Sequence, residues 1–155
     1  MKNKSAKALW GDFLDQHLEY AFVEEPGVGY FGDTEEIADT CVSLVLQGKK
    51  RATAHSLLGL QLRNEPLPKI GDLNIITDWE GNAHCIVRTV KVTLKPFFAV
   101  TSAYAQLEGE GDGSLEYWKE VHWEYYTREL APFERKPLES MIVVFEVFEK
   151  IFEKK

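Results

Sequence analysis

Apolar positions recur at helical intervals in three stretches of the chain, and shorter segments rich in β-branched residues lie between them. From Ser5 to Tyr20 the side chains of Trp10, Phe13, Leu14 and His17 fall on one side of a helix. A turn-rich stretch follows, from Glu24 through Pro26, Gly27 and Gly29 to Gly32. A second helix is marked at both ends. Asp33 is the expected cap, with Glu36 completing a capping-box-like pair, then Ile37, Cys41, Leu44 and Val45 recur, and Gly48 stands where a glycine ends a helix. Residues 51–58 read as extended, and Pro66, Pro68 and Gly71 mark a loop. Leu73 to Asp78 and Ala83 to Leu94 read as strands joined by a Trp79–Asn82 hairpin that contains Gly81. Thr101 to Leu107 reads as a short helix. Ser114 caps a third long one, which carries Leu115, Trp118, Val121, His122 and Tyr125 on one face until Pro132. Met141 to Phe148 is a closing strand. Strands interrupted by helices without βαβ regularity predict an α+β fold, a small mixed barrel with flanking helices.

The 155 residues, 45% hydrophobic and 28% charged, suit a single soluble domain. The longest apolar run, Met141 to Phe145, is far short of a membrane span, and the first residues carry lysines with no apolar stretch behind them. The expectation is a cytoplasmic protein with no membrane partner. Eighteen Lys and Arg against 25 Asp and Glu leave a net charge of −7, which disfavours nonspecific binding to duplex nucleic acid. The compact basic cluster is Lys49, Lys50 and Arg51. Cys41 and Cys85, 44 positions apart with no CxxC neighbour, are expected to be reduced, buried and inert.

No two of His17, His55, His84 and His122 have HxH or HxxxH spacing, so no metal and no other cofactor is expected. The loop 108–113 is acidic and glycine-rich, but it lacks the twelve-residue calcium spacing, and its acids would repel phosphate. The segment Gly48-Lys49-Lys50-Arg51-Ala52-Thr53 has two readings. In one, Gly48 ends the helix, Lys49 and Lys50 face the negative end of its dipole, and Thr53 is a plain strand residue. In the other it holds catalytic groups.

The second reading is favoured by what surrounds the segment. Tyr30-Phe31-Gly32-Asp33, a helix and then Gly48 to Thr53 resemble the ASCH-domain family, relatives of the PUA-like RNA-binding barrels. Pro66 to Asp72 looks like the family's loop into a barrel strand. Pro96 to Val100 and Ala105 to Asp112, followed by Trp118 and His122, resemble one bacterial subgroup. The likeness runs over residues 30–150, within a single domain in which residues 1–30 form an N-terminal helical extension. At one position the chain departs from the pattern: it has His55 where the subgroup tends to have Ser and the wider family Arg.

The resemblance implies a barrel of five or six strands with a cleft beside Gly48–Thr53. It also implies two functional classes. Some members are small amidohydrolases that remove the acetyl group of N4-acetylcytidine with a Lys, a Thr and a Glu, and others are thought to bind or cut RNA. Carried over by motif, the three catalytic positions are Lys50, Thr53 and Glu108, the last placed by Ala105. A threonine hydroxyl attacks a carbonyl only when a base takes its proton. Lys50 is that base if burial lowers its pKa, and an oxyanion stabiliser if it stays charged. Glu108 would hold a water or pass a proton to the leaving amine. Lys50 and Thr53, three apart, face opposite ways in a regular strand, so a turn or bulge must bring them together.

Phe31, Trp118 and Tyr125 are candidate stacking surfaces for a base, although Trp118 and Tyr125 equally suit packing of the helix on the barrel. His55, Glu110 and His122 complete the candidate binding set, and the glycines flanking Glu110 allow its loop to approach a ligand. The alternatives are a non-catalytic module holding single-stranded RNA through Lys49 and Arg51, and a metal-independent ribonuclease. The aromatic content leaves room for a homodimer.

Overall fold

The computed structural model describes residues 1–155. Its elements in chain order are α1 (Lys4–Gln16), β1 (Gly27–Gly29), α2 (Glu35–Leu46), β2 (Ala52–Ser56), α3 (Leu57–Leu62), β3 (Leu73–Thr77), β4 (Ala83–Pro96), α4 (Ser102–Glu108), α5 (Leu115–Leu130) and β5 (Ile142–Glu153). The strands form one sheet in the order β1-β3-β4-β5-β2. The β1–β3 pair is parallel and the others are antiparallel. The pairing of β4 with β5 shifts register between Ile86 and Val87 and again between Thr89 and Lys91. Such irregularities raise local twist and bend a strand, so the sheet curls into an open half-barrel. This is the expected α+β architecture with flanking helices.

Alternation along the strands sends successive residues to opposite faces. Ile75 and Ile86 meet Ala6, Leu9 and Phe13 of α1 on one face, while Ile76, Cys85, Val87 and Phe148 meet Val42 and Val45 of α2 on the other. At the β2 side, Val143 and Phe145 pack with Phe97, Ala105, Trp118 and Tyr126, which ties α4 and α5 to the sheet. No helix is long and apolar enough to cross a membrane.

Several local expectations shift. The first helix stops at Gln16, and a 3-10 turn covers Leu18–Tyr20. Thr34, rather than Asp33, caps α2 by accepting a hydrogen bond from the Ile37 amide, while Asp33 pairs with Arg128 of α5. Residues 51–58 are not extended throughout: Ser56 caps α3, a short apolar helix that reads like a continuing strand. The β1 strand lies in the stretch read as turns, because Gly27–Gly29 pairs with β3 across more than forty positions. The last strand runs on to Glu153 through exposed charged residues that blur its apolar pattern.

Phe13 is 1% exposed and its ring meets Trp10, Tyr20 and Phe152. Phe13→Ala is expected to lower unfolding free energy by about 3–5 kcal/mol, measured by urea denaturation. A loss below about 1 kcal/mol would mean that α1 is not anchored through this ring.

Candidate functional site

The site begins with a helix end. Gly48 adopts φ +77°, and the amides of Lys49 and Lys50 both donate to the Leu44 carbonyl, so the chain reverses sharply out of α2. The Arg51 amide then donates to Leu107 O of α4, and Arg51 O accepts from the Phe148 amide of β5. On the α4 side, Gly109 is the left-handed cap at φ +65°. A Cβ there would lie 2.3 Å from Lys49 O, so this close docking of two backbones requires glycine. Two separate chain turns are thereby clamped together, and each carries an ionisable side chain inward.

Lys50 is 2% exposed and Glu108 is 1% exposed. The Lys50 ammonium donates to Glu108 Oε1 at 3.2 Å, Glu110 Oε2 at 2.8 Å and Ala52 O at 2.8 Å, which uses all its protons. Glu108 also accepts from Trp118 Nε1 at 2.6 Å and faces His122 Nε2 at 3.4 Å. His122 Nδ1 donates to Trp118 O, and the imidazole stacks on the indole at 4.0 Å between centroids.

Burial by itself would lower the Lys50 pKa, but the adjoining Glu108 and Glu110 carboxylates outweigh it and hold the amine charged, above its usual 10.5. Burial would raise Glu108, but His122, Lys50 and the hydrogen bonds from His122 and Trp118 hold it well below its usual 4.5. The neutral Lys50 needed for a general base is therefore not realised, because two carboxylates face the buried ammonium.

These groups open on a cavity of about 180 Å³. Lys50, Thr53 and Glu108 all line it, as do Phe31, His55, Glu110, His122 and Tyr125. Lys50 lies in the turn before β2, so its parity relative to Thr53 imposes nothing. Thr53 and His55 alternate on β2 and share its cavity face. The remaining candidates lie elsewhere. Trp118 is buried behind Glu108 and does not line the cavity, while Lys49 and Arg51 are exposed outside it. Phe31 is stacked on Phe148 and sits under the Lys50 ammonium, 5.1 Å from its ring centroid, so it is part of the wall.

Among the lining residues outside the candidate set, three carry polar side chains. Tyr30 stood within the sequence motif but was not singled out, and Cys41 was read as part of the apolar stripe of α2. Arg128, bonded to Asp33, belongs to no motif. The Cys41 thiol donates to Glu110 Oε1 at 3.4 Å, and burial pushes its pKa up to about 12, so it is a protonated donor and not a nucleophile. No group of three or more His, Cys, Asp or Glu side chains is placed to hold a metal ion.

A neighbouring cavity of about 470 Å³ shares Tyr30, Phe31, Thr53 and His55 and continues past Glu146 and Phe148 along the inner face of the sheet. Glu146 accepts from His55 Nε2 at 2.8 Å and from Thr89 Oγ1. Another cavity, of about 190 Å³, lies on the opposite face of β5 against Phe145 and Val147. It contains Lys91 and Lys95 but no carboxylate or histidine.

The family model of the ASCH domain matches residues 27–152. A crystal structure of an ASCH domain from Lactobacillus crispatus superposes with a TM-score of 0.90 at 28% identity, covering 97% of this chain and 96% of that one. A crystal structure of an Enterococcus faecalis protein, described by the family model DUF984, superposes with a TM-score of 0.87 at 34% identity, covering 97% and 90%. No curated protein matches the chain.

Lys50→Met would leave Glu108 and Glu110 without their cation, and a loss of about 3–5 kcal/mol in urea denaturation at neutral pH is expected. Because Glu108 titrates lower in the folded than in the unfolded chain, its stabilisation is full above pH 4.5 and fades as pH falls below that value. Glu108→Gln should flatten the decline in unfolding free energy below pH 4.5. Equal slopes in variant and wild type would show that the carboxylate is not held ionised.

Proposed function

The chain belongs to the ASCH-domain family, and from that premise we propose that it is a small amidohydrolase acting on an N-acylated nucleoside such as N4-acetylcytidine. The observation that carries this reading is that Lys50 and Thr53, from one chain segment, and Glu108, from another more than fifty positions away, line one sheltered cavity. A space of about 180 Å³ is below the range of drug-sized pockets and suits a compact ligand. The adjoining cavity leaves room for the rest of a nucleoside.

The chemistry follows from the charges. Thr53 Oγ, which makes no hydrogen bond within the protein, adds to the acyl carbon, and the carbonyl electron pair moves onto oxygen. The Lys50 ammonium stabilises that oxyanion through its field in a site of low dielectric. Glu108, buried and bonded to Lys50, Trp118 and His122, keeps the ammonium and the imidazole in position. Glu110 reaches the cavity with its side chain 18% exposed and faces the leaving amine or a water. Collapse breaks the C–N bond, the amine leaves protonated, and water releases the acyl group as a carboxylic acid.

Charge also weighs on the alternatives. Glu108 and Glu110 line the cavity and Glu146 its neighbour, the two cations in the wall, Lys50 and Arg128, are already paired with carboxylates, and Lys49 and Arg51 lie outside. A neutral acylated base fits these surroundings better than a polyanionic strand does.

Incubation with N4-acetylcytidine and related N-acylated nucleosides, followed by chromatography, should show release of the free amine. Thr53→Val should abolish turnover while keeping the fold, and Lys50→Met should slow it by about 100-fold or more, the scale of losing one oxyanion-stabilising group. No turnover across the panel, combined with salt-dependent binding of single-stranded RNA, would replace the hydrolase by a binding module.

A further inference from the structure

Thr53 must give up a proton to attack, and Lys50, fully protonated with every N–H engaged, has no lone pair to receive it. We propose that His55, oriented by Glu146, is the general base and acid of this site, taking the Thr53 hydroxyl proton on Nδ1. This rests on the amide-hydrolase reading above and assigns the group that moves its protons.

Thr53 and His55 are two apart on β2, so they project from one face about 6.6 Å apart along the strand, within reach of an imidazole and a hydroxyl turned toward each other. Both line the main cavity and its neighbour, which have Tyr30 and Phe31 in common as well. Glu146 is the register partner of Thr53 on β5, which places hydroxyl, imidazole and carboxylate on one strand pair.

The carboxylate settles the tautomer. Glu146 is 6% exposed, and His55 is the one cation-capable side chain bonded to it. Burial would raise its pKa, but hydrogen bonds from His55 and Thr89 outweigh burial and hold it ionised, below its usual value. An ionised oxygen can only accept, so Nε2 of His55 carries the proton across the 2.8 Å contact. In the neutral imidazole the lone pair is then on Nδ1, which has no partner within the protein, and the side chain is 33% exposed. A base oriented by a buried carboxylate beside a hydroxyl is the arrangement that activates a weak nucleophile.

In the acylation step the Thr53 proton passes to Nδ1 as the Oγ–C bond forms and the carbonyl π pair moves to oxygen. When that pair returns, the C–N bond breaks and Nδ1 delivers its proton to the departing nitrogen. Water then attacks the threonine ester and loses a proton to Nδ1. The C–Oγ bond breaks, and that proton returns to Oγ. The sum is amide plus water giving acid plus amine, and the enzyme is unchanged.

The test compares wild type with His55→Gln, which can still bond Glu146, His55→Ala and Glu146→Gln, each checked for an unchanged melting transition. The substrates are N4-acetylcytidine and p-nitrophenyl acetate. His55→Gln should lower kcat by about 100-fold or more with little change in KM, and added imidazole should restore activity to His55→Ala. Glu146→Gln should lower kcat and remove the Nε2–H signature from the nitrogen NMR spectrum of His55. Peptide mapping after p-nitrophenyl acetate treatment should find one acetyl group on Thr53, and much less in His55→Gln. If the wild type turns over the nucleoside and His55→Gln is as fast, the assignment is overturned while the hydrolase reading stands. If no nucleoside is turned over but Thr53 is acetylated in a His55-dependent manner, the assignment holds and the substrate reading fails. A wild type that neither turns over the nucleoside nor acetylates Thr53 overturns both.

Discussion

The Lys50 ammonium, sealed between Glu108 and Glu110, is the interaction on which the site depends. Taking three charges out of water costs several kcal/mol per ion, and their mutual attraction returns that only when the geometry is good and the remaining bonds are made. Here each requirement is met: the ammonium has three acceptors, and Glu108 has an indole donor and an imidazole besides. An apolar plug of the same volume would fill the space at less desolvation cost. A buried ion cluster is therefore a weak stabiliser for its size, and this one stands at a cavity wall.

The cluster also explains the backbone around it. Lys50 can enter the interior only because α2 ends abruptly at Gly48, and Glu108 can meet it only because Gly109 lets the end of α4 approach Lys49 O. Arg51 continues the clamp by bonding α4 on one side and β5 on the other. Turn, helix end and strand edge are therefore mutually required, and a change at either glycine would reach the charges through the backbone.

The curl of the sheet does the rest. Register shifts in the β4–β5 pair bend the inner face, and Thr89 and Glu146 of these strands lie beside Thr53 and His55 of β2. Two separate polar sets consequently serve neighbouring cavities: Lys50, Glu108 and Glu110 line the first, Glu146 (bonded to Thr89) lines the second, and His55 lines both. The first set holds a fixed positive charge, and the second leaves an imidazole nitrogen free. Those are the complementary roles that the proposed amide hydrolysis requires.

Much of this was legible in the order of residues. Helical periods located α1, α2 and α5, Ser114 and Gly48 marked helix ends, and Leu73–Asp78 and Ala83–Leu94 were recognisable strands, because these signals are local. The ordered motifs singled out Lys50, Thr53, Glu108, Glu110, His55 and His122, which do line one cavity. The charge state of Lys50 was not legible, since burial and carboxylates pull in opposite directions and only the folded arrangement decides which prevails. Nor was the β1 strand, which exists through pairing with β3, or the move of Trp118 from candidate ligand surface to buried donor. A chain encodes periods, caps and residue chemistry along its length. Distances between groups more than fifty positions apart, such as Lys50 to Glu108 and His55 to Glu146, come into being only when the sheet closes around them, and the protonation states follow from those distances.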